Sequence, residues 1–195
     1  MANFKDAMDI LKELEFNSPS NVLHKNRTES DITFYGIYRC SHPNWIGFIM
    51  IDQALERYDI KTASKVLYKN EDLIKHVYAF YKTEFWDKMR LDEINSQKIA
   101  NEMFIFGVNA GVKQAVKLAQ RIVAIRDDGI VGKNTIKALN DYDEDKFDKE
   151  YDALEIVYYR DIIAKYPNKR IFAKGWRYRA YFANSSYKNS SVSYT

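Results

Sequence analysis

The strongest constraint on the fold is an apolar repeat with the period of an α-helix, which begins at the N-terminus and recurs along most of the chain. Its first instance is a stripe of five apolar residues, Phe4, Ala7, Met8, Leu11 and Leu14. The spacing i, i+3, i+4, i+7 predicts a helix, with Asn3 as the N-cap, Asp6 at the third helical position and Pro19 beyond the end. A chain dominated by this period folds from packed helices.

The same period predicts further helices at about 49–58, 61–67, 70–87, 95–107, 111–125, 132–140 and 146–166. Residues 21–44 lack it, and the apolar and aromatic run from Ile32 to Tyr38 predicts a strand or one arm of a hairpin. DDGIVGKNT at 127–135 is typical of a turn that leads into a helix. The polar residues 183–195 predict a frayed tail. The predicted fold class is mainly α, a single domain with a small β element near the N-terminal third.

Composition excludes several classes of protein. With 195 residues, 46% of them hydrophobic and 29% charged, the chain has the composition of a globular protein rather than a disordered one. The single cysteine, Cys40, excludes an internal disulfide and a cysteine-based zinc site. His24 and His42 lack a third ligand at a useful spacing, so we expect no metal and no cofactor. The sequence shows no signal peptide and no membrane span, which predicts synthesis in the cytoplasm and no stable membrane insertion.

Two glutamates near the end of the first helix have different predicted environments. Glu15 follows Leu11 by four residues, which places it at the edge of the apolar face, whereas Glu13 falls on the opposite, solvated face. Partial burial and the helix dipole would both favour a neutral carboxylic acid at Glu15. Such an acid can protonate a leaving oxygen. The alternative is that Glu15 pairs with a basic residue at the edge of the core.

The wider pattern resembles a known family. The segments that carry the resemblance are EFNSP at 15–19, NVLHKN at 21–26, TE at 28–29, TFYGIY at 33–38 and SHPNW at 41–45. Together they resemble the N-terminal half of the glycoside hydrolase 108 family, which are N-acetylmuramidases, that is, lysozymes of phage and bacterial origin. The family has Gly-Gly after its glutamate, whereas Phe16 follows Glu15 here. This departure keeps Glu13 open as the residue that corresponds.

The second half contains motifs that look like the peptidoglycan-binding portion accompanying this catalytic segment. They are FWD at 85–87, FIFGVNAG at 104–111, DGIVG at 128–132 and FAKGWRYR at 172–179. The resemblance implies a lysozyme-like domain, with a catalytic segment at 1–90 and a helical peptidoglycan-binding segment at 91–182 packed in the same domain. It also implies a monomer that binds peptidoglycan glycan strands.

The implied reaction is hydrolysis of the β-1,4 bond between N-acetylmuramic acid and N-acetylglucosamine, with Glu15 as general acid. The residues that could assist by holding water are Glu29, Asp31 and Thr33, and a mechanism with a single glutamate stays open. The predicted substrate contacts are aromatic and amide side chains, Tyr35, Asn109, Gln114 and Tyr158. We expect the three tryptophans, Trp45, Trp86 and Trp176, to lie in the core.

Three other functions fit parts of the pattern. A lytic transglycosylase would cleave the same bond without water, and an inert wall-binding phage module would bind peptidoglycan without cutting it. A nucleic-acid-binding protein is suggested by the basic set of Lys165, Lys169, Arg170, Lys174, Arg177 and Arg179. The net charge of only +3 and the lack of a binding motif argue against nucleic acid. We expect the hydrolase, and the absence of a signal peptide fits a phage or prophage endolysin that reaches the cell wall after a holin opens the membrane.

Overall fold

The computed structural model describes residues 1–26 and 29–184, and this part of the chain is mainly α-helical. The helices are α1 (Phe4–Glu15), α2 (Gly47–Leu55), α3 (Ile60–Tyr68), α4 (Glu71–Tyr81), α5 (Gln97–Ala110), α6 (Val112–Ile122), α7 (Lys133–Asn140), α8 (Glu144–Lys165) and α9 (Ala173–Phe182). A three-stranded antiparallel sheet contains β1 (Leu23–His24), β2 (Thr33–Phe34) and β3 (Ile37–Tyr38). The predicted fold class is confirmed.

The chain divides into two compact units. The smaller unit is Lys12–Lys82, and the larger unit combines Met1–Leu11 with the chain from Thr83 onward. The predicted boundary at residue 90, with both segments packed in one domain, stays a prediction. Most of the predicted tail at 183–195 lies outside the described residues. Within the described ranges, none of the helices combines the length and the apolar character that crossing a membrane requires.

In the smaller unit, a buried serine joins the sheet to α3. The backbone N–H of Leu23 in β1 donates to Ser64 Oγ over 3.1 Å, and Ser64 Oγ donates to the carbonyl oxygen of Pro19 over 2.8 Å. Asp59 is the N-cap of α3, and its side chain accepts a hydrogen bond from the N–H of Thr62. These bonds hold the segment after α1 against the helical part of the unit.

The predicted strand or hairpin arm is the hairpin of β2 and β3. Its two turn residues, Tyr35 and Gly36, have φ values of 46° and 75°, the left-handed conformation of a two-residue hairpin turn. A Cβ at Gly36 would lie 2.8 Å from the hydroxyl of Tyr81, so the turn and α4 approach closely only because this residue is glycine. The turn fixes the register in which Thr33 pairs with Tyr38.

In the larger unit, α5 is the central helix, since every residue from Ile99 to Gly107 is buried. It packs against α6, α8 and α9. The predicted turn at 127–135 precedes α7 and is held by the buried side chain of Gln120. Gln120 Nε2 donates to Asp128 Oδ1 over 3.0 Å, and its Oε1 accepts from the N–H of Gly129 over 2.8 Å. One amide therefore organises the whole turn.

Candidate active site

Glu13 and Glu15 lie in the last turn of α1, and both side chains are exposed. The expectation that Glu15 lies at the edge of the buried face is therefore wrong. The buried stripe of α1 ends at Leu11. The next apolar residue that packs is Phe16, whose ring lies 4.9 Å from the ring of Tyr35. Burial does not separate the two glutamates; their difference is that Glu15 directly precedes the residue that contacts the hairpin turn.

Glu29 and Thr33 form a hydrogen-bonded pair at the start of the hairpin. Thr33 Oγ1 donates to Glu29 Oε2 over 3.3 Å, and the backbone N–H of Asn26 donates to the same oxygen over 3.3 Å. Hydrogen bonds from Asn26, together with the bond from Thr33, lower the pKa of Glu29. The carboxylate is therefore ionised at neutral pH, and an ionised carboxylate beside a hydroxyl can orient a water molecule.

Asp31 belongs to a separate network of ion pairs. Its Oδ1 accepts a hydrogen bond from the N–H of Ile32 over 2.7 Å and lies 4.0 Å from Arg39 Nη1. Arg39 Nη2 also donates to Asp52 Oδ1 of α2 over 2.5 Å, and its guanidinium lies 4.6 Å from the ring centre of Phe48. Asp31 thus helps to fasten the end of β3 to α2.

Tyr35 lies in the core of the smaller unit and is only 1% exposed. Its ring contacts Phe16, and the ring of Tyr68 stacks on it at 6.2 Å and 15°. Burial raises the pKa of the Tyr35 phenol. A sugar ring needs an open aromatic face, so the predicted substrate contact at Tyr35 is corrected to a core position.

Asn109 and Tyr158 lie close to an aromatic stack in the larger unit. Asn109 Nδ2 donates to the hydroxyl of Tyr159 over 2.5 Å, and the ring of Tyr159 stacks on Trp176 at 4.7 Å and 13°. Tyr158 is half-buried, and its ring meets the ring of Phe106 edge to face at 5.3 Å. The stack of Tyr159 and Trp176 was not indicated by the sequence, because neither residue belongs to a regular apolar stripe.

Gln114 is half-buried in the first turn of α6 and lines a shallow depression with Gly111, Lys113 and Lys117. The backbone N–H of Gln114 donates to the carbonyl oxygen of Gly111 over 3.1 Å. Since Gly111 joins α5 to α6, the junction brings Gln114 and Asn109 to the same end of these helices. The amide of Gln114 at this surface depression has the hydrogen-bonding groups that a sugar requires, whereas the amide of Asn109 donates to Tyr159.

The three tryptophans differ in their surroundings. Trp86 is fully buried, as expected. Trp45 and Trp176 are only half-buried. Trp45 lines a second depression, in the smaller unit, beside Ile46 and Ile49, which are 56% and 60% exposed. The sequence did not distinguish these two tryptophans from a core residue.

The predicted basic set is mostly a solvent-exposed surface. Its exposed members are Lys165, Lys169, Arg170, Lys174 and Arg177. Arg179 is half-buried and interacts electrostatically with Glu155, so it leaves the set. Among the described residues, one group could hold a metal ion, namely the buried acids Glu102, Asp148 and Asp152, and it contains neither histidine.

Two family models match consecutive parts of the chain. Residues 24–111 match the model described as Glycosyl hydrolase 108, and residues 114–181 match the model described as Predicted Peptidoglycan domain. The first match includes the Glu29 and Thr33 pair and begins nine residues after Glu15.

The chain also resembles a solved structure, titled "Structure of Brucella abortus SagA". The two are 19% identical, the alignment covers 97% of each chain, and the TM-score is 0.64. This likeness concerns the fold. No curated protein matches the chain significantly. The resemblance seen in the sequence motifs is confirmed by the two family models. The chain therefore carries a glycosyl hydrolase 108 region followed by a peptidoglycan domain. This combination of regions is that of a peptidoglycan hydrolase.

Proposed function

We propose that the protein is an N-acetylmuramidase that hydrolyses the β-1,4 bond between N-acetylmuramic acid and N-acetylglucosamine, with Glu15 as general acid. Glu15 supplies an accessible carboxyl group at the end of α1, in the unit that also holds the Glu29 and Thr33 pair. In its neutral form it would donate a proton to the glycosidic oxygen as the bond to the muramic acid carbon breaks.

The hydrogen bond between Glu29 and Thr33 is the observation that carries the proposal. A hydrolase of this kind needs a second group that positions water on the other face of the sugar. Glu29 would accept a proton from that water while the water oxygen bonds to the sugar carbon, and Thr33 would hold the carboxylate in place. Attack by water without a covalent intermediate predicts inversion at the anomeric carbon.

Asp31 does not suit this role equally well. Its Oδ1 already accepts a backbone hydrogen bond and faces Arg39. Arg39 in turn binds Asp52 of α2, so Asp31 belongs to a network that holds the end of the hairpin to a helix. We therefore assign Asp31 to the support of the hairpin, which makes it a matched control.

The larger unit would supply contacts to the glycan. Asn109 lies at the end of α5 and Gln114 at the start of α6, Tyr158 is half-buried, and the half-buried Trp176 lies between Lys174 and Arg177 of the basic set in the sequence. We propose that this unit holds the anionic wall polymer while the smaller unit cuts it.

The test is digestion of purified peptidoglycan by the wild type and by Glu15→Gln, Glu29→Gln, Glu13→Gln and Asp31→Asn. Products are reduced and weighed by mass spectrometry, and the anomer first formed is observed by NMR. We expect reducible muramic acid ends, an inverted product, and losses of about 100-fold or more for Glu15→Gln and Glu29→Gln. The two control variants should keep activity within a few-fold of the wild type.

Each other outcome has a distinct meaning. Anhydro-muramic acid ends would make the protein a lytic transglycosylase, and an absence of products from the folded wild type would make it a binding module. A loss of activity with Glu13→Gln alone would assign the role of general acid to Glu13 instead of Glu15. Full activity of Glu29→Gln would leave a mechanism with a single glutamate.

We further propose an endolysin role, in which the protein reaches the wall after a holin opens the membrane. This rests on the hydrolase and peptidoglycan regions and on the sequence-based expectation of cytoplasmic synthesis. Expression with and without a holin tests it, since lysis that needs no holin would exclude this route.

A further inference from the structure

The larger unit contains a cluster of buried acidic side chains outside the proposed active site. Glu102 lies on α5, and Asp148, Asp152 and Glu155 lie on α8. Glu102 is 0% exposed and Glu155 is 1% exposed, and the two aspartates are also buried. Burying one ionised carboxylate is costly unless it is paired, and four together must share a compensating charge or protons.

The geometry gathers three of these carboxyl groups around one point. One oxygen each from Glu102, Asp148 and Asp152 lies within 4.8 Å of the others. Asn184 Nδ2, just beyond α9, donates to Glu102 Oε1 over 2.7 Å and to Asp148 Oδ1 over 2.8 Å. These distances show that the carboxylates converge on a position where a positive or hydrogen-bond-donating group is favoured.

Two oxygen atoms of the acidic residues lack a hydrogen-bond donor among the described residues. Glu102 Oε2 and Glu155 Oε2 are buried and accept no hydrogen bond from the described residues. Lys98 interacts electrostatically with Asp148, and Arg179 with Glu155, so these two cations offset part of the negative charge. Buried oxygen atoms without donors are the ones that a bound cation would engage.

We propose that Glu102, Asp148 and Asp152 form a binding site for a divalent cation of the calcium class. All candidate ligands are carboxylate oxygens, which hard cations prefer. Ca²⁺ binds in flexible cages of protein oxygen atoms, whereas Mg²⁺ demands a stricter octahedron and usually keeps several waters, so a buried set of carboxylates suits Ca²⁺ better. Glu155 adds negative charge beside the site.

A bound cation would connect three helices. Glu102 comes from α5, the two aspartates come from α8, and Asn184 brings the end of α9 to the same carboxylates. The cation would therefore stabilise the part of the peptidoglycan domain that carries the exposed basic set.

Protons compete with the cation. Burial, followed by repulsion from Asp152, raises the pKa of Glu102 well above its usual value, and the same two causes act on Glu155. The other titratable groups that act on these carboxyls are Asp148, Tyr151, Tyr159, Lys98 and Arg179. Cation binding must deprotonate the ligands, so it should strengthen as the pH rises and release protons.

The experiment uses the full chain after treatment with a chelator and its removal. Thermal unfolding is followed with Ca²⁺ or Mg²⁺ at pH 5 and pH 8, and calorimetry in two buffers of different ionisation enthalpy measures Ca²⁺ binding and proton release. At pH 8 and 100-fold excess over Kd, Ca²⁺ should raise Tm by about 5 °C or more. Tb³⁺ provides a second probe, because Tyr151 lies close enough to Glu102 to interact with it electrostatically, and a tyrosine close to bound Tb³⁺ can sensitise the luminescence of the ion.

Glu102→Gln keeps the shape of the side chain and should remove the Ca²⁺ response, and Asp152→Asn serves if that variant does not fold. Asp161→Asn, an exposed acid on the same helix, is the matched control and should respond as the wild type does. No Ca²⁺ binding by the wild type, or equal binding by Glu102→Gln, would overturn the proposal. An equal response to Mg²⁺ would overturn the assignment to calcium.

Discussion

Without a cation, the buried acids should make the protein less stable as the pH rises from 5 to 7. A carboxyl group whose pKa is raised by folding keeps its proton in the folded state and loses it in the unfolded state. Its favourable contribution is therefore complete below the usual pKa of 4.5 and is lost as the pH increases towards the raised value. Glu102 and Glu155 both lie in this class.

The magnitude follows from proton linkage. While the pH lies between the unfolded and folded pKa values, one such group changes the free energy of unfolding by about 1.36 kcal/mol per pH unit. From pH 5 to pH 7, the contribution of one such group is at most about 2.7 kcal/mol, which in a chain of this size corresponds to a Tm change of at most roughly 11 °C. Exposed acids such as Asp59 and Asp145 have lowered pKa values, so their effect falls at a lower pH.

The assay is urea unfolding of the wild type and Glu102→Gln in EDTA at pH 5, 6 and 7. Glutamine does not titrate, so the variant should lose less stability than the wild type over this range, by about 2.7 kcal/mol at most. Asp161→Asn should follow the wild type. Parallel pH profiles for the wild type and Glu102→Gln would refute the argument that Glu102 is folded as a neutral acid.

Three further variants test the hairpin, the proposed water-positioning pair and the basic surface. Gly36→Ala should lower the free energy of unfolding by about 1 to 2 kcal/mol because φ is +75°, and equal stability in urea would contradict the role of the turn. Thr33→Val removes a hydrogen bond that lowers the pKa of Glu29, so the acid limb of the pH–activity profile should move to higher pH; an unchanged limb would count against this pair. Lys174→Glu combined with Arg177→Glu should weaken peptidoglycan pelleting at low salt, and the difference should shrink at about 0.5 M salt; equal pelleting at low salt would exclude a role for this surface.

Helices with a regular apolar stripe were predictable from the sequence. The prediction of 132–140 corresponds to Lys133–Asn140, and 146–166 corresponds to Glu144–Lys165. The predicted N-cap is also confirmed, since Asn3 Oδ1 accepts from the N–H of Lys5 over 2.8 Å. These features depend on residues close in sequence, so local periodicity and capping chemistry suffice.

Two helical segments differ from the prediction, because the local sequence pattern does not determine them. The predicted helix at 70–87 ends as an α-helix at Tyr81 and continues as a π-helical segment, Lys82–Trp86, and no residue type marks that change. Helix α9 was not predicted, because aromatic and basic residues alternate along Ala173–Phe182 without an apolar stripe. Its position depends on packing against α5 and α8.

For the candidate site, too, the sequence supplied the candidate residues but not their contacts. The sequence supplied Glu29, Asp31 and Thr33 as alternatives within five residues, but it did not show which of them are paired. Thr33 is bound to Glu29, and Asp31 faces Arg39, eight residues further along the chain. Choosing between the carboxylates requires the register of the hairpin, which is a tertiary property.

The acidic cluster was visible in the sequence in a form that helix rules misinterpret. Asp148, Asp152 and Glu155 have the spacing i, i+4, i+7, which is the spacing of an apolar face. Charged residues at that spacing normally indicate a solvated face, and α8 is rich in charge on all sides. Here the stripe lies close to Glu102, an acid within the buried segment of α5. The sequence pattern of this cluster is therefore an acid in the buried stretch of one helix, together with acids at the spacing of a buried face in the helix that packs against it.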